Sequence, residues 1–245
     1  MSDKSKKLVV ITGASSGFGE SLAKILSKEG YPLLIVARRL EKMEAFKLPN
    51  CLCRKVDVSN YDEFEKACRE AEEHFKTKID LMVNNAGVML LGNIWEQDPK
   101  DWDTMIDVNV KGVLYGCRIV LKDMMERNSG TIINVSSIAG HSPFDSHTVY
   151  GSTKYGVTCI TDTVRLEVAQ KNVRVLQISP GIGETELLGH NSKSAEVYEK
   201  YLGWKKALDG QSMDPYQVAN TMKFMYELPQ EISLRDIIIS PTKQG

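Results

Sequence analysis

The stretch "KLVVITGASSGFGE", residues 7–20, decides the fold. An apolar, β-branched run ends at Thr12, three glycines follow at Gly13, Gly17 and Gly19, and a helical pattern begins. A glycine turn between a buried strand and a helix lets backbone approach a pyrophosphate, and the helix N-terminus offers N–H groups and a positive dipole. No G-K-[ST] follows, which disfavours a nucleoside-triphosphate loop and favours a dinucleotide.

Apolar runs alternate with helical patterns along almost the whole chain. We predict strands at 7–12, 32–37, 51–56, 79–84, 130–136, 173–179 and 235–240. Helices are predicted at about 17–30, 60–76, 100–127, 148–171 and 214–227. Strands that are apolar without alternation are covered on both faces. The order predicts an α/β, doubly wound (Rossmann) parallel sheet of about seven strands with helices on both faces, in a single domain over residues 1–245.

Composition excludes several classes of protein. The net charge of −1 gives no field for nucleic acid or an anionic membrane. The five cysteines have no C-x-x-C spacing and indicate free thiols in a reducing compartment, without a zinc site. The apolar run after "MSDKSKK" is too short for a signal peptide or a membrane span. We therefore predict a cytoplasmic protein without a metal.

The segment after the second strand, "IVARRLEKM", bears on the choice of cofactor. An NAD site places an acid here to bind the ribose 2′-hydroxyl, but this chain has Arg38 and Arg39. A guanidinium suits a 2′-phosphate by charge and by its planar geometry. The pair therefore favours NADP, although two arginines also fit the start of an ordinary solvated helix.

Further motifs stand in order along the chain and together resemble the short-chain dehydrogenase/reductase family. They are Thr12 to Gly19 at T-G-x-x-x-G-x-G spacing, Asp57-Val58, "NNAG" from Asn84 to Gly87, Asn109 in "DVNVKG", Ser137 in "INVSSIAG", Tyr150-x-x-x-Lys154, and Pro180-Gly181 followed by Thr185. The resemblance spans residues 7 to about 241 and is nearest to the branch of NADP-dependent 3-hydroxy acid, serine and allo-threonine dehydrogenases. Gly183 departs from the family, which usually has Val or Ile there.

The resemblance implies catalytic roles for Asn109, Ser137, Tyr150 and Lys154, with NADP(H) as cofactor. The implied cofactor-binding residues are Gly13, Ser15, Ser16, Gly17, Phe18, Gly19, Arg38, Arg39, Asp57, Val58, Asn85, Ala86, Gly87, Tyr150, Lys154, Pro180, Gly181, Gly183 and Thr185. It also implies that Lys154 binds the nicotinamide ribose and that Asn109 holds a water for proton relay.

Tyr150 and Lys154 are four residues apart in a predicted helix and are therefore neighbours. An ammonium about 5 Å from a phenolic oxygen favours the phenolate by about 3 kcal/mol at an effective dielectric of about 20. We therefore expect Lys154 to lower the pKa of Tyr150 below its ordinary value of about 10, into the range that general acid–base catalysis requires. Ser137 would stabilise the substrate oxygen at the sheet edge.

The substrate is the least determined feature. The candidate binding residues are Ser137, His141, Phe144, His147, Tyr150 and Ile182, with further walls from Glu186, Leu187 and a predicted helical flap, residues 185–212, that carries Tyr198, Tyr201 and Trp204. A carboxylate would need a cation from His141, His147, Lys193 or Lys205. Met89, Leu90 and Leu91 are interpreted as packing residues.

The main functional prediction is an NADP-dependent oxidoreductase that transfers a hydride between nicotinamide and the carbonyl or secondary alcohol of a small hydroxy acid. The alternatives are a general NADPH-dependent reductase of ketones, aldehydes or steroid-like compounds and, remotely, a catalytically silent NADP-sensing module. Apolar residues on several faces of the helices around Asn109 and Tyr150 predict a self-complementary interface, in a homodimer or homotetramer.

Overall fold

The protein is described by a computed structural model over residues 6–188 and 195–244. Its strands are β1 Leu8–Thr12, β2 Leu33–Ala37, β3 Cys51–Lys55, β4 Ile79–Asn84, β5 Gly130–Val135, β6 Val173–Pro180 and β7 Asp236–Ile239. Its α-helices are α1 Gly17–Lys28, α2 Leu40–Glu44, α3 Tyr61–Phe75, α4 Pro99–Ile106, α5 Gly112–Glu126, α6 Thr148–Val168, α7 Ala195–Ala207 and α8 Pro215–Glu227. Within these described ranges, no helix has the length and apolarity to cross a membrane.

The seven strands form one parallel sheet in the order β3-β2-β1-β4-β5-β6-β7, which confirms the predicted fold class. Every residue of β1, β2, β4, β5 and β6 is buried, as their unbroken apolar runs predict. The outer strands β3 and β7 are partly exposed. The strand order reverses between β1 and β4, and at such a point the loops diverge and leave a crevice for a ligand.

Two hydrophobic cores cover the two faces of the sheet. On one face, α3, α5 and α6 pack Phe64, Val120 and Val157 against the strands. On the other face, α1 and α8 contribute Leu26 and Met222. The helices thus leave the carboxyl edge of the sheet to the connecting loops.

The long helix predicted at 100–127 is interrupted. Residues Asp107–Lys111 form a π-helical turn between α4 and α5, so that the helical register changes at Asn109. Such turns interrupt the regular ladder of helical hydrogen bonds and often occur at functional sites. Asn109 is buried at this turn, with 1% of its surface exposed.

A row of buried amides joins β4, β5 and α6. The Asn84 side-chain nitrogen donates to Asn134 Oδ1 at 2.8 Å, and the Asn134 side-chain nitrogen donates to Thr161 Oγ1 at 2.9 Å. Gly116 of α5 lies directly over the Asn84 amide, and a Cβ there would overlap Asn84 Oδ1. A residue without a side chain is therefore required where α5 crosses this row.

Candidate active site

The loops at the carboxyl edge of the sheet enclose a cavity of about 700 Å³, within the range of natural cofactor and substrate sites. It extends from the glycine turn after β1, past the ends of β4 and β5, to Pro180 and Gly181 at the end of β6. The cofactor-binding residues predicted from the sequence line it together, with one exception.

The exception is Gly19, which is buried at the start of α1 behind the cavity wall. A Cβ there would lie 2.6 Å from Asn85 Nδ2 and 2.9 Å from the Gly13 carbonyl oxygen. Gly19 therefore allows the turn to pack against the loop after β4, and its place among the cofactor-binding residues stays a prediction. Gly13 and Gly17 line the cavity with φ of +65° and +59°, which only glycine adopts readily.

The two arginines after β2 differ in their surroundings. Arg38 is exposed at the rim. Arg39 turns toward the glycine turn, where its Nη2 donates to Ser15 Oγ and Ser16 Oγ, each at 3.0 Å. Its Nη1 donates to Glu186 Oε2 at 2.6 Å. The Arg39 guanidinium thus links the glycine turn to the segment after β6.

Gly183, which departs from the family pattern, is explained by Phe18 of the glycine turn. A Cβ at residue 183 would lie 2.8 Å from Phe18 Cζ and 2.9 Å from Phe18 Cε1. The phenyl ring fills the space that a Val or Ile side chain would need. A larger residue at position 183 would therefore require a smaller one at position 18.

Tyr150 and Lys154 lie buried on one face of α6, beside Ser137 at the end of β5. Burial raises the pKa of Tyr150 to about 12, and its hydrogen bond with Ser137 acts in the opposite direction. Burial also lowers the pKa of Lys154 to about 8. Lys154 Nζ lies 5.8 Å from the centre of the Tyr150 ring and donates to the Val135 carbonyl oxygen at 2.9 Å.

The expectation that Lys154 lowers the pKa of Tyr150 is therefore wrong, because the pKa of this phenol lies above its ordinary value. Burial disfavours the charged phenolate, and the hydrogen bond with Ser137, not the Lys154 ammonium, is what acts against it. Tyr150 consequently keeps its proton at neutral pH.

Asn109 stands behind the cavity wall. Its Oδ1 accepts from the Val88 amide at 2.8 Å, while its Nδ2 donates to the Val88 carbonyl at 2.8 Å and to Thr153 Oγ1 at 3.0 Å. Both protons of the amide are thus used, and the side chain fixes the loop after β4 against α6. Gly87 lies close to both Asn109 and Lys154. A Cβ on residue 87 would be 3.4 Å from Asn109 Oδ1 and 3.6 Å from Lys154 Nζ.

The far half of the cavity is largely aromatic and apolar. His147 lies between Phe144, Tyr150 and Tyr201, with ring centres 5.7, 6.0 and 6.4 Å away. Trp204 of α7 follows Tyr201 at 5.4 Å. Burial lowers the pKa of His147, which disfavours a charged imidazolium in this wall. Ile138 and Ile182 complete the lining.

His141 does not belong to this lining, although the sequence placed it there. Its Nε2 hydrogen-bonds Ser179 Oγ at 2.9 Å and lies 3.2 Å from Asp236 Oδ2. The side chain therefore turns toward β6 and β7. Lys205 pairs with Glu184 at 2.7 Å, and Lys193 lies outside the described residues.

Sequence reasoning missed several residues of the cavity. Met89, Leu90 and Leu91, interpreted as packing, line it directly after the Asn84–Gly87 motif, a position that could have identified them. Gln244 also lines it and accepts from the Ile182 amide at 2.8 Å. No local pattern marks Gln244, because its contact is formed only by the fold.

Comparisons with known proteins agree with this geometry. The sequence profile of the short chain dehydrogenase family matches residues 7–196, and the chain belongs to this family of oxidoreductases. An uncharacterized oxidoreductase of Staphylococcus saprophyticus is 37% identical over 251 residues, which cover 100% of both chains.

Two solved structures of serine dehydrogenases are also similar. One, in a closed form complexed with NADP+, is 31% identical with a TM-score of 0.88, over 97% of this chain and 96% of that one. The other, from Escherichia coli, is 29% identical with a TM-score of 0.83, over 97% of this chain and 99% of that one.

Proposed function

We propose that the protein is an NADP(H)-dependent oxidoreductase that interconverts a carbonyl compound and a secondary alcohol. The observation that carries this proposal is the meeting of Ser137, Tyr150 and Lys154 in the same cavity as the glycine turn and Arg39. A proton donor, an ammonium and a phosphate-binding turn at one sheet edge are the groups that hydride transfer to a carbonyl requires.

The residues of the nucleotide half fit NADP(H). Positive φ at Gly13 and Gly17 would let the backbone of this turn approach a pyrophosphate held at the N-terminus of α1. The Arg39 guanidinium meets the hydroxyls of Ser15 and Ser16 at this turn. These groups are hydrogen-bond donors that a 2′-phosphate could accept from. When bound, the nicotinamide supplies or receives the hydride.

The proton chemistry follows from burial. Because the pKa of Tyr150 is about 12, the phenol is protonated at neutral pH and can donate to the oxygen of a carbonyl substrate. Ser137, within hydrogen-bonding contact of Tyr150, would hold the same oxygen. Lys154, with a pKa of about 8, is positioned to return a proton and, by family resemblance, to bind the nicotinamide ribose. By family resemblance Asn109 would hold the water of this relay, and only as an acceptor, because Val88 and Thr153 already take both protons of its side-chain amide.

The lining favours an apolar or aromatic group beside the substrate carbonyl. Phe144, Tyr201 and Trp204 offer ring faces, and Met89 and Leu91 offer aliphatic surface. Such a wall gains free energy by burying apolar area, roughly 25 cal/mol per Å². The general carbonyl reductase is therefore the better-supported substrate class. We propose that the described part of the flap after residue 194, which contains α7, covers this half of the cavity.

A small hydroxy acid remains the second candidate, favoured by the similarity to the serine dehydrogenases. Its carboxylate would need a cation, and Lys200 at the cavity rim is paired with Asp145. A panel of ketones, aldehydes, 3-oxo acids and serine, followed by NADPH absorbance, separates the two classes. Turnover limited to the carboxylates would overturn the apolar assignment.

The Tyr150→Phe variant tests the reaction itself. Loss of the proton donor should lower kcat by roughly 100- to 10,000-fold and leave NADPH affinity nearly unchanged, because only one hydroxyl is removed. Tyr216→Phe, exposed on α8 and away from the cavity, is the matched control. Near wild-type turnover of Tyr150→Phe across a range of pH would contradict the proposed role.

We also propose a homo-oligomer formed through α5 and α6. These helices expose Leu114, Tyr155 and Leu166, the last with 80% of its surface accessible. Apolar side chains on the face turned away from the sheet core favour a self-complementary contact. Sedimentation at micromolar concentration should give a dimer or tetramer, and a monomer would contradict this interface.

A further inference from the structure

Glu186 connects two cations that lie far apart along the chain. Its Oε2 accepts from Arg39 Nη1 at 2.6 Å, and its Oε1 accepts from Lys42 Nζ at 2.7 Å. Glu186 begins a single 3-10 turn after β6, whereas Arg39 precedes α2 and Lys42 lies within it. The carboxylate therefore holds the segment after β6 against the start of α2.

This contact occupies the guanidinium that faces the glycine turn. Arg39 is bound on one side by Ser15 and Ser16 and on the other by the Glu186 carboxylate. All four residues line the cavity, whereas Lys42 stands outside it. The two cations also hold the pKa of Glu186 down, at about 2, so the carboxylate is charged at every working pH.

We infer that Glu186 is a selectivity residue that competes with the 2′-phosphate of the cofactor for Arg39. This inference rests on the proposed use of NADP(H). A phosphate arriving at Arg39 meets a negative carboxylate already paired there, whereas the 2′-hydroxyl of NAD carries no charge and meets no such repulsion. Glu186 therefore reduces the preference for NADP that Arg39 creates. When the phosphate binds Arg39, the Glu186 carboxylate stays paired with Lys42.

If Glu186 supported phosphate binding instead, its substitution would change the affinity for phosphate in the opposite direction. If Glu186 served to hold Arg39 in place for the phosphate, neutralising the carboxylate would weaken phosphate binding. Competition predicts that neutralising it strengthens binding. One substitution therefore separates the two roles without any measurement of turnover.

The test is calorimetric binding of adenosine 2′,5′-bisphosphate and of 5′-AMP to the wild type and to Glu186→Gln. We expect the variant to bind the bisphosphate about five- to ten-fold more tightly at low ionic strength, an effect that salt reduces. Binding of 5′-AMP should change by less than about two-fold, since this ligand lacks the 2′-phosphate that would face Glu186.

Glu184→Gln is the matched control. Glu184 is exposed in the same segment, but its partners are Lys205 and Ser212, so both affinities should stay at the wild-type values. An unchanged or weaker affinity of Glu186→Gln for the bisphosphate overturns the competition.

If the wild type does not prefer the bisphosphate over 5′-AMP, the behaviour of Glu186→Gln shows which of the two proposals fails. If Glu186→Gln then acquires the preference, the competition stands in a stronger form. If neither protein prefers the bisphosphate, both the competition and the proposed NADP dependence fail.

Discussion

Replacing Lys154 with methionine should change how stability depends on pH. Lys154 is 5% exposed, and burial lowers the pKa of its ammonium from 10.5 to about 8. Between these two values the unfolded chain binds a proton that the folded chain releases, so acidification favours unfolding. The wild type therefore gains stability as pH rises through this window, and the Lys154→Met variant lacks that gain.

The magnitude follows from the two pKa values. With 10.5 unfolded and about 8 folded, the linkage relation gives a cost of about 3 kcal/mol near pH 7 and about 1.5 kcal/mol near pH 9.5. The difference in unfolding free energy, wild type minus variant, should thus rise by about 2 kcal/mol over this range. Loss of the hydrogen bond to Val135 shifts that difference by a constant amount and does not alter its slope.

The assay is urea unfolding at several pH values, followed by circular dichroism without added nucleotide. Lys200→Met is the control, because Lys200 is exposed and its pKa is raised by Asp145. A raised pKa changes stability only above the unfolded value, so this control should show no slope in the same range. A flat difference for Lys154→Met, or one that falls with pH, would refute the burial argument.

Two further predictions concern glycines. Gly116→Ala should lower the free energy of unfolding by about 3 kcal/mol, because its Cβ would overlap the buried Asn84 amide. Gly203→Ala in α7 has no atom within 4 Å of the new Cβ and should stabilise by roughly 0.5–1 kcal/mol; equal effects at both sites would contradict this contrast. Gly183→Val should destabilise by roughly 1–3 kcal/mol through contact with Phe18, and Phe18→Val should offset much of that loss. Additive effects in this double-mutant cycle would show that the two positions do not share volume.

Most of the fold could be predicted because its signals are local. Runs such as "LVVIT" and "LLIVA" are apolar at every position, and that composition indicates buried parallel strands wherever it occurs. Even β7, which is partly exposed, carries three successive isoleucines. The π-helical turn at Asp107–Lys111 was missed because an extra backbone residue leaves the helix-forming composition unchanged.

The site was predictable in its residue types and less so in its energetics. The Tyr150 and Lys154 spacing places both side chains on one face of a helix, but the pKa depends on how much water reaches them. The orientation of His141 depends on Ser179 and Asp236, whose positions only the assembled sheet determines. The contact of Glu186 with Arg39 likewise joins residues 147 positions apart, and no local pattern records it.

The parallel pairing of every strand has a consequence for how the chain acquires its structure. The interior strand β1 pairs with β2 on one side and with β4 on the other. During synthesis it remains half-paired until Ile79–Asn84 has emerged, so an apolar edge stays open over a long stretch of translation. Parallel sheets of such distant contacts form slowly and are prone to aggregate meanwhile. We therefore expect refolding yield to depend strongly on protein concentration.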